Sequence, residues 1–301
     1  MNLESIVEEQ FFMTMKNCGI TPRENLNPVM DGNIHRFSTE SDRPCEKSGA
    51  YYIHADEWPN WAIMDYRQHK NMIKFSLDKN LMKEIQITTW PKKDKKKELE
   101  EEARKREEAR KRAYDEWQRG SREGIYNHPY IKLKKIRCLG KYIRIHGRRK
   151  TNDYCSEGDL LIPLINPVTG RFQSLQKISY KTYDGKHIKG IYPSTVFKGA
   201  MYPFYIPRFS EIIICEGFAT GSSIFEATKG QSLVICAMSC NNMAEITKIF
   251  YEKYKNLPII IGADNDDAGL RTANEILKNG HAQRIITPPI KGYDWNDYFT
   301  K

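Results

Sequence analysis

Three acidic residues carry the chemistry most legible in this chain. Glu216 follows the apolar run IIIC, and Asp264 and Asp266 follow the apolar part of PIIIGADND. On an extended segment Asp264 and Asp266, alternating with Asn265, point the same way. Ligands of parallel α/β sheets gather outside the carboxyl ends of the strands, so two such ends would present three carboxylates to one spot. Carboxylate oxygens, with room for water and phosphate, suit Mg²⁺. A structural role is also open. Asp264 or Asp267 would cap a helix beginning near Ala268, which accounts for one acid and not for the set. Gly217 and Gly221 flank Phe218, Ala219 and Thr220, letting the chain turn sharply and approach a substrate before a helix that starts at Ser222 or Ser223. Unpaired amides at that helix start would suit a phosphate, although a tight strand-to-helix turn needs the same glycines.

The elements that must hold these acids follow from the pattern around them. From residue 209 the chain alternates apolar strand and helix: EIIICEG, SSIFEATKG, SLVICAM, MAEITKIFYEKY, PIIIGAD, AGLRTANEILKNG and RIITPP. Alternation at this spacing predicts a parallel sheet covered by helices over 207–301. Residues 125–206 read as short strands and turns with recurring lysine and arginine, such as LLIPLINPVTGRFQSLQKI, a basic, mainly β subdomain. Residues 91–124 mix opposite charges at helical spacing, with only Leu99, Ala103, Ala113 and Trp117 as an apolar stripe. That predicts a charged, mostly solvated helical linker, which holds two domains apart or lies along one of them. Residues 1–90 read as a small α+β module rich in aromatics, with GAYYIHADEWPNWAIMDYRQHKN forming strand, Trp-Pro turn and strand.

Bulk properties narrow the function. The 301 residues suffice for two or three domains, and the net charge of +10 favours an anionic partner, with nucleic acid first. No run of 18 apolar residues and no basic leader is present, so no membrane partner and a cytoplasmic location are expected. The seven cysteines are odd in number, scattered, and form no CxxC pairs at zinc spacing, so they are expected to be reduced thiols and no zinc is expected. Cys236 and Cys240 lie four apart and would face one another if helical, but with no matching His or Cys pair they are expected to be small buried apolar residues. No GxxxxGK[ST] phosphate loop occurs.

EGFATGSS, followed some forty residues later by GADNDDAG, resembles the TOPRIM domain, the metal-binding α/β module of bacterial-type primases, topoisomerases and some nucleases. The resemblance covers about 209–301. It implies Glu216 as acid/base or metal-adjacent glutamate, Asp264 and Asp266 as holders of Mg²⁺ with Mn²⁺ able to replace it, and Asp294 and Asp297 in YDWNDYF as further acids. Upstream, DLLIPLINPVTGRFQSLQKI and GKHIKGIYPSTVFKGAMYPF are similar to the basic subdomain that precedes this domain in replicative primases. The similarity implies Lys177, Lys186, Lys189 and Lys198, with Gly217, Gly221 and Ser222, toward nucleotide and DNA. HPYIKLKKI looks like the entry to that core.

The N-terminal module resembles one found beside this domain in primases of plasmids, phages and other mobile elements. There Tyr52, Trp58 and Trp61, with Tyr51 and Tyr66, would stack template bases, and Arg67 and Lys70 would meet phosphates, although about half of these aromatics are expected in the core. His54 and His69 lack partnering cysteines and are expected to pack or hydrogen-bond. The resemblance implies a primase lacking the zinc finger, acting on nucleoside triphosphates and a single-stranded DNA template, with a replicative helicase or another element-encoded replication protein as partner. A Mg²⁺-dependent nuclease and a non-catalytic single-stranded DNA binding module are the alternatives.

Overall fold

The structure, a computed structural model, describes residues 3–43, 46–55, 58–69, 71–78 and 95–301. The boundary expected near residue 90 lies outside them, as do Cys45 and Lys70. The chain forms two compact units, Met1–Asp94 and Lys95–Lys301.

In the first unit, helix α1 (Leu3–Asn17) covers an antiparallel sheet of β1 (His35–Phe37), β2 (Gly49–His54), β3 (Asn60–Asp65) and β4 (Ile73–Ser76) in that spatial order. Val7, Phe11 and Met15 recur at helical spacing and pack on Tyr51, Ile53, Trp61 and Ile63, which alternate along β2 and β3. The Trp-Pro segment joins β2 to β3 in the register Tyr51↔Ile63.

The second unit opens with helix α2 (Lys95–Arg119). Its first turns are solvated and laced by pairs such as Arg104 with Glu101 and Glu108. Its last turns are not a solvated linker: Ala109, Ala113 and Glu116 are buried, and Tyr114 and Trp117 pack on Phe172. Of the two placements open to a charged helix, this one lies along a domain, because the apolar stripe falls at its C-terminal end. A 3₁₀ turn (Ile125–Asn127) and the short helix α3 (Pro129–Leu133) lead into an antiparallel sheet of β5 (Arg144–Ile145), β6 (Leu160–Ile165), β7 (Phe172–Tyr183) and β8 (Lys186–Ile191).

The remaining elements are β9 (Tyr202–Phe204), β10 (Ile212–Cys215), α4 (Phe218–Ala227), β11 (Leu233–Cys236), α5 (Cys240–Lys253), β12 (Ile259–Gly262), α6 (Asp267–Lys278), β13 (Arg284–Ile286) and α7 (Trp295–Thr300). Their sheet runs β13-β12-β10-β11-β9, parallel except for β9. β10, β11 and β12 are buried at every position, as expected of strands covered on both faces. YPF, which reads as part of the preceding subdomain, instead adds the antiparallel edge, since Tyr202 and Phe204 are buried against Phe218. One core spans both sheets of this unit, joining Leu160, Ile162 and Ile178 to Ile213, Val234 and Ile260. A second core lies under α5 and α6.

Cys236 ends a strand and is buried in the core, as expected of a small apolar residue, its Sγ 3.9 Å from Cys215 Sγ, while Cys240 is half-buried at the start of α5. The hydrogen bond to Cys236, and then burial, holds the Cys215 thiol well above the usual range. Among the described residues all six cysteines are free thiols, and no helix is long and apolar enough to cross a membrane.

Candidate active site

β10 and β12 are neighbours in parallel register, Cys215 opposite Gly262, so Glu216 and Asp264 leave the same edge of the sheet one and two residues later. β13 flanks β12, and the loop after it delivers Asp294 at the start of α7. α7 is pinned by Asn296, whose side-chain NH₂ donates to the Lys134 carbonyl at 2.8 Å and meets Ser223 Oγ at 3.0 Å. Loops after three adjacent strands thus bring acids to one place.

Their electrostatics show the crowding. Burial pushes the Asp264 carboxyl up to about 7, helped by the nearby charges of Asp294, Glu216 and Asp266 and opposed by Lys134. Asp264 Oδ1 is buried with no hydrogen-bond partner. Glu216 is also pushed up, first by burial and then by Asp266; a hydrogen bond from the Cys240 N–H at the start of α5 and the charge of Lys189 pull the other way. Asp266 caps α6, its Oδ1 accepting from the Gly269 N–H at 2.7 Å, so the cap expected of Asp264 or Asp267 falls on Asp266 instead. Asp294 caps α7 in the same manner, accepting from the Asp297 N–H at 2.6 Å, while its other oxygen lies 3.5 Å from Lys134 Nζ. Asp297 shares Lys134 with Asp294 and is paired by two ammonium groups, 3.4 Å from Lys134 Nζ and 3.2 Å from Lys301 Nζ. Burial would raise its carboxyl, but those two ammonium groups hold it below the usual range.

A hard cation suits this arrangement. Four carboxylates (Glu216, Asp264, Asp266 and Asp294) interact through charge around an oxygen that no protein donor satisfies, and an oxygen donor set of this kind suits Mg²⁺. That a buried polar atom is left without a partner is uncommon and calls for a ligand or ion.

Of the four lysines expected near nucleotide, Lys189 is the one tied to the acids. It stays solvent-accessible, its ammonium 5.6 Å from the Tyr130 ring centre. Surrounding protein and the charge of Lys134 lower its pKa, against the pull of Asp294, Glu216 and Asp264. Lys189 stands opposite Ile178 in the β7–β8 register and shares its face, whereas Lys177, opposite Gly190, is on the other face. There Lys177 donates to the Tyr154 carbonyl at 3.1 Å and lies 3.7 Å from Asp159 Oδ2. Lys186 is exposed near the β7–β8 hairpin tip, and Lys198 is exposed 4.0 Å from Glu245. Neither is grouped with the acids.

The glycine turn also differs from expectation. α4 starts at Phe218 with Gly217 as its N-cap, not at Ser222 or Ser223. Gly221 and Ser222 are therefore inside the helix and not at its start. A Cβ on Gly221 would run into Cys236 Sγ, and Ser222 Oγ donates to the Cys138 carbonyl at 2.6 Å. At Gly217 an added Cβ would meet only Thr220 Oγ1, at 3.6 Å, so packing does not demand glycine there.

In the first unit Trp61 is core, 3 % exposed, stacked on Phe75 and donating to Thr14 Oγ1 at 3.2 Å. Arg67 is engaged by Asp42 at 2.8 Å and by Glu46 and the Ser41 carbonyl. Tyr51 is buried; Tyr52 is half-buried, and Trp58 and Tyr66 are exposed. His54 packs edge-on to Tyr52, and His69 Nδ1 accepts from the Asp65 N–H at 3.1 Å.

Lys134 belongs to the acidic site and was not among the residues expected there. Its signal is HPYIKLKKI, where three lysines compete and only the fold selects one.

Residues 211–301, which carry these acids, match the family model described as the Toprim domain. Over 268 residues, 86 % of the chain, it is 25 % identical to the DNA primase TraC of Escherichia coli. The chain spans 23 % of that protein's length. Among solved structures it is similar to the Aquifex aeolicus primase comprising zinc-binding and RNA polymerase domains, at 13 % identity and TM-score 0.46, over 99 % of this chain and 79 % of that one. It is likewise similar to the DnaG primase catalytic domain bound to single-stranded DNA, at 11 % identity and TM-score 0.46, over 64 % of this chain and 74 % of that one.

Proposed function

We propose that this chain carries the catalytic part of a DNA primase of a plasmid, phage or integrated element, joining nucleoside triphosphates on a single-stranded DNA template. The observation that carries the reading is the unpartnered, buried Asp264 oxygen within a group of four carboxylates delivered by loops after adjacent strands, with Lys134 and Lys189 at their side. The similarity to the DNA primase TraC over most of the chain supports the choice of reaction.

Glu216, Asp264, Asp266 and Asp294 would hold Mg²⁺, or Mn²⁺ in its place. Bound there, the ion would supply charge stabilisation to the phosphoryl displacement. The chain's own groups do the remainder. Glu216, with a carboxyl raised above its ordinary value, takes the proton of the attacking 3′ hydroxyl at a carboxylate oxygen. The 3′ oxygen bonds the α-phosphorus, the bond from that phosphorus to the bridging oxygen breaks, and pyrophosphate leaves. Lys189 and Lys134 counter the triphosphate's charge, and the exposed Trp58 and half-buried Tyr52 stack template bases in the first unit. A helicase or other replication protein of the element is the expected partner.

The test is incorporation of labelled nucleotides on single-stranded DNA with Mg²⁺. Growth of short oligonucleotides supports the proposal. Shortening of the template without incorporation would assign the same acids to a nuclease, and binding with neither reaction would leave a template-binding module.

A further inference from the structure

We infer that Glu116, His146 and Asp153 form a second metal site, taking a divalent transition ion of the Zn²⁺ kind, in a part of the second unit that the proposed reaction does not use. Glu116 lies near the C-terminal end of α2, His146 directly after β5, and Asp153 in the loop between β5 and β6. All three are buried, at 2 %, 2 % and 8 % exposure. Their donor atoms lie within 4.8 Å of one another.

The telling group is the imidazole. His146 is almost wholly buried, and neither ring nitrogen has a hydrogen-bond partner. Its Nε2 nevertheless points at two carboxylates, 3.4 Å from Asp153 Oδ2 and 3.7 Å from Glu116 Oε2. An N–H···O bond would close to about 2.7–3.2 Å. Donors placed about 2.1 Å from a tetrahedral ion stand about 3.4 Å apart, which the imidazole matches toward Asp153 and exceeds by a few tenths of an ångström toward Glu116. A gap too wide for hydrogen bonding and the right size for a coordination edge is thus built between three ligand types that Zn²⁺ accepts. An imidazole donor also sets the site apart from the all-oxygen acidic cluster.

The carboxylates are braced from outside, as metal-bound carboxylates usually are. Glu116 accepts from the Tyr154 and Cys155 N–H groups, each at 3.0 Å, and from Tyr192 Oη at 2.6 Å. Asp153 accepts from the Lys150 N–H at 2.9 Å and, through both oxygens, from the Arg119 guanidinium. Arg119 offsets one of the two negative charges, so a dication would leave the cluster with a small net charge. The ion would tie the end of α2 to the β5–β6 loop, a structural role. It departs from the expectation of no zinc, which rested on cysteine spacing, and this set has no cysteine ligand.

The test uses the untagged full chain, loaded with Zn²⁺, passed through a desalting column and analysed for metal, beside Asp264→Asn and His146→Ala. Parent and Asp264→Asn should retain about one Zn²⁺ per chain, and His146→Ala should bind at least about tenfold more weakly. Chelator should lower the unfolding temperature of the parent and added Zn²⁺ restore it. Should His146→Ala not fold, Co²⁺ added to the metal-free parent gives a second reading: the intense visible bands of a tetrahedral site, bleached by Zn²⁺, are expected. Absence of retained metal and of those bands overturns the inference. So does equal retention by His146→Ala, or an imidazolium at His146 that Zn²⁺ does not displace, since a proton would then fill the gap.

Discussion

Replacing Asp264 by Asn should make the metal-free protein more stable while removing its response to Mg²⁺. The reasoning runs through the carboxyl itself. A group whose pKa rises from 3.8 in the unfolded chain to about 7 in the fold costs nothing below 3.8, an increasing amount as pH rises between the two values, and the full penalty above about 7. The full penalty is about 4 kcal/mol, reached near pH 8. Asn removes the charge but leaves an amide in a site without partners, which costs back about 1–2 kcal/mol. The net gain is about 2 kcal/mol at pH 8, or about 4–8 °C in unfolding temperature for a unit of this size. By pH 5 most of the penalty is absent in the parent and the difference should shrink to near zero. Thermal unfolding followed by circular dichroism in chelator, at pH 5 and pH 8, measures this directly. With Mg²⁺ the parent should gain stability at pH 8 and the variant should not. A variant no more stable than the parent at pH 8, or equally stabilised at both pH values, would refute the crowding of acids around Asp264.

Three further outcomes follow from the geometry. Lys189→Ala should raise the KM for nucleoside triphosphate about tenfold or more with little change in unfolding temperature, because the lysine is solvent-accessible and faces the acids, whereas Lys186→Ala should change neither. In the first unit, burial would raise the Asp42 carboxyl, but donation from the Ser48 and Thr39 N–H groups and the charge of Arg67 bring it to about 2. Its contribution is therefore present above pH 3.8 and lost as pH falls toward 2; Asp42→Asn should cost about 2 kcal/mol at pH 7 and almost nothing at pH 2 in urea unfolding. Trp61→Ala should destabilise the first unit by about 3–5 kcal/mol, and Trp58→Ala, at an exposed position, should leave stability unchanged while weakening single-stranded DNA binding in a fluorescence titration.

The acidic site was legible because its strands advertise themselves. IIIC and IIIG are apolar at every position, so the acids after them had to sit at strand ends, and adjacency of the two strands made them meet. What could not be read locally was direction. Lys134 and Lys135 are neighbours, yet Lys135 takes φ 47° and its ammonium reaches the Thr300 carbonyl while that of Lys134 turns to Asp294 and Asp297, some 160 positions away in sequence. Lys177 and Lys189 look alike in the sequence, but strand register puts them on opposite faces. Gly221 reads as a hinge beside a phosphate because the start of α4 was set too late; in the fold it is the small residue that admits Cys236. Trp58 and Trp61 are three residues apart, but Trp61 lies within β3 in the core under α1 while Trp58 lies in the turn before it. Glu116, His146 and Asp153 follow no motif spacing at all, since a helix end and a loop bring them together.

The most direct measurement is template-dependent pyrophosphate release from nucleoside triphosphates, with Mg²⁺ and single-stranded DNA, by the parent and by Asp264→Asn and Glu216→Gln. The parent should release pyrophosphate in step with oligonucleotide growth. Each variant should lose at least about a hundredfold in rate while remaining folded. Release by either variant at the parental rate would contradict the assignment of these acids to the reaction.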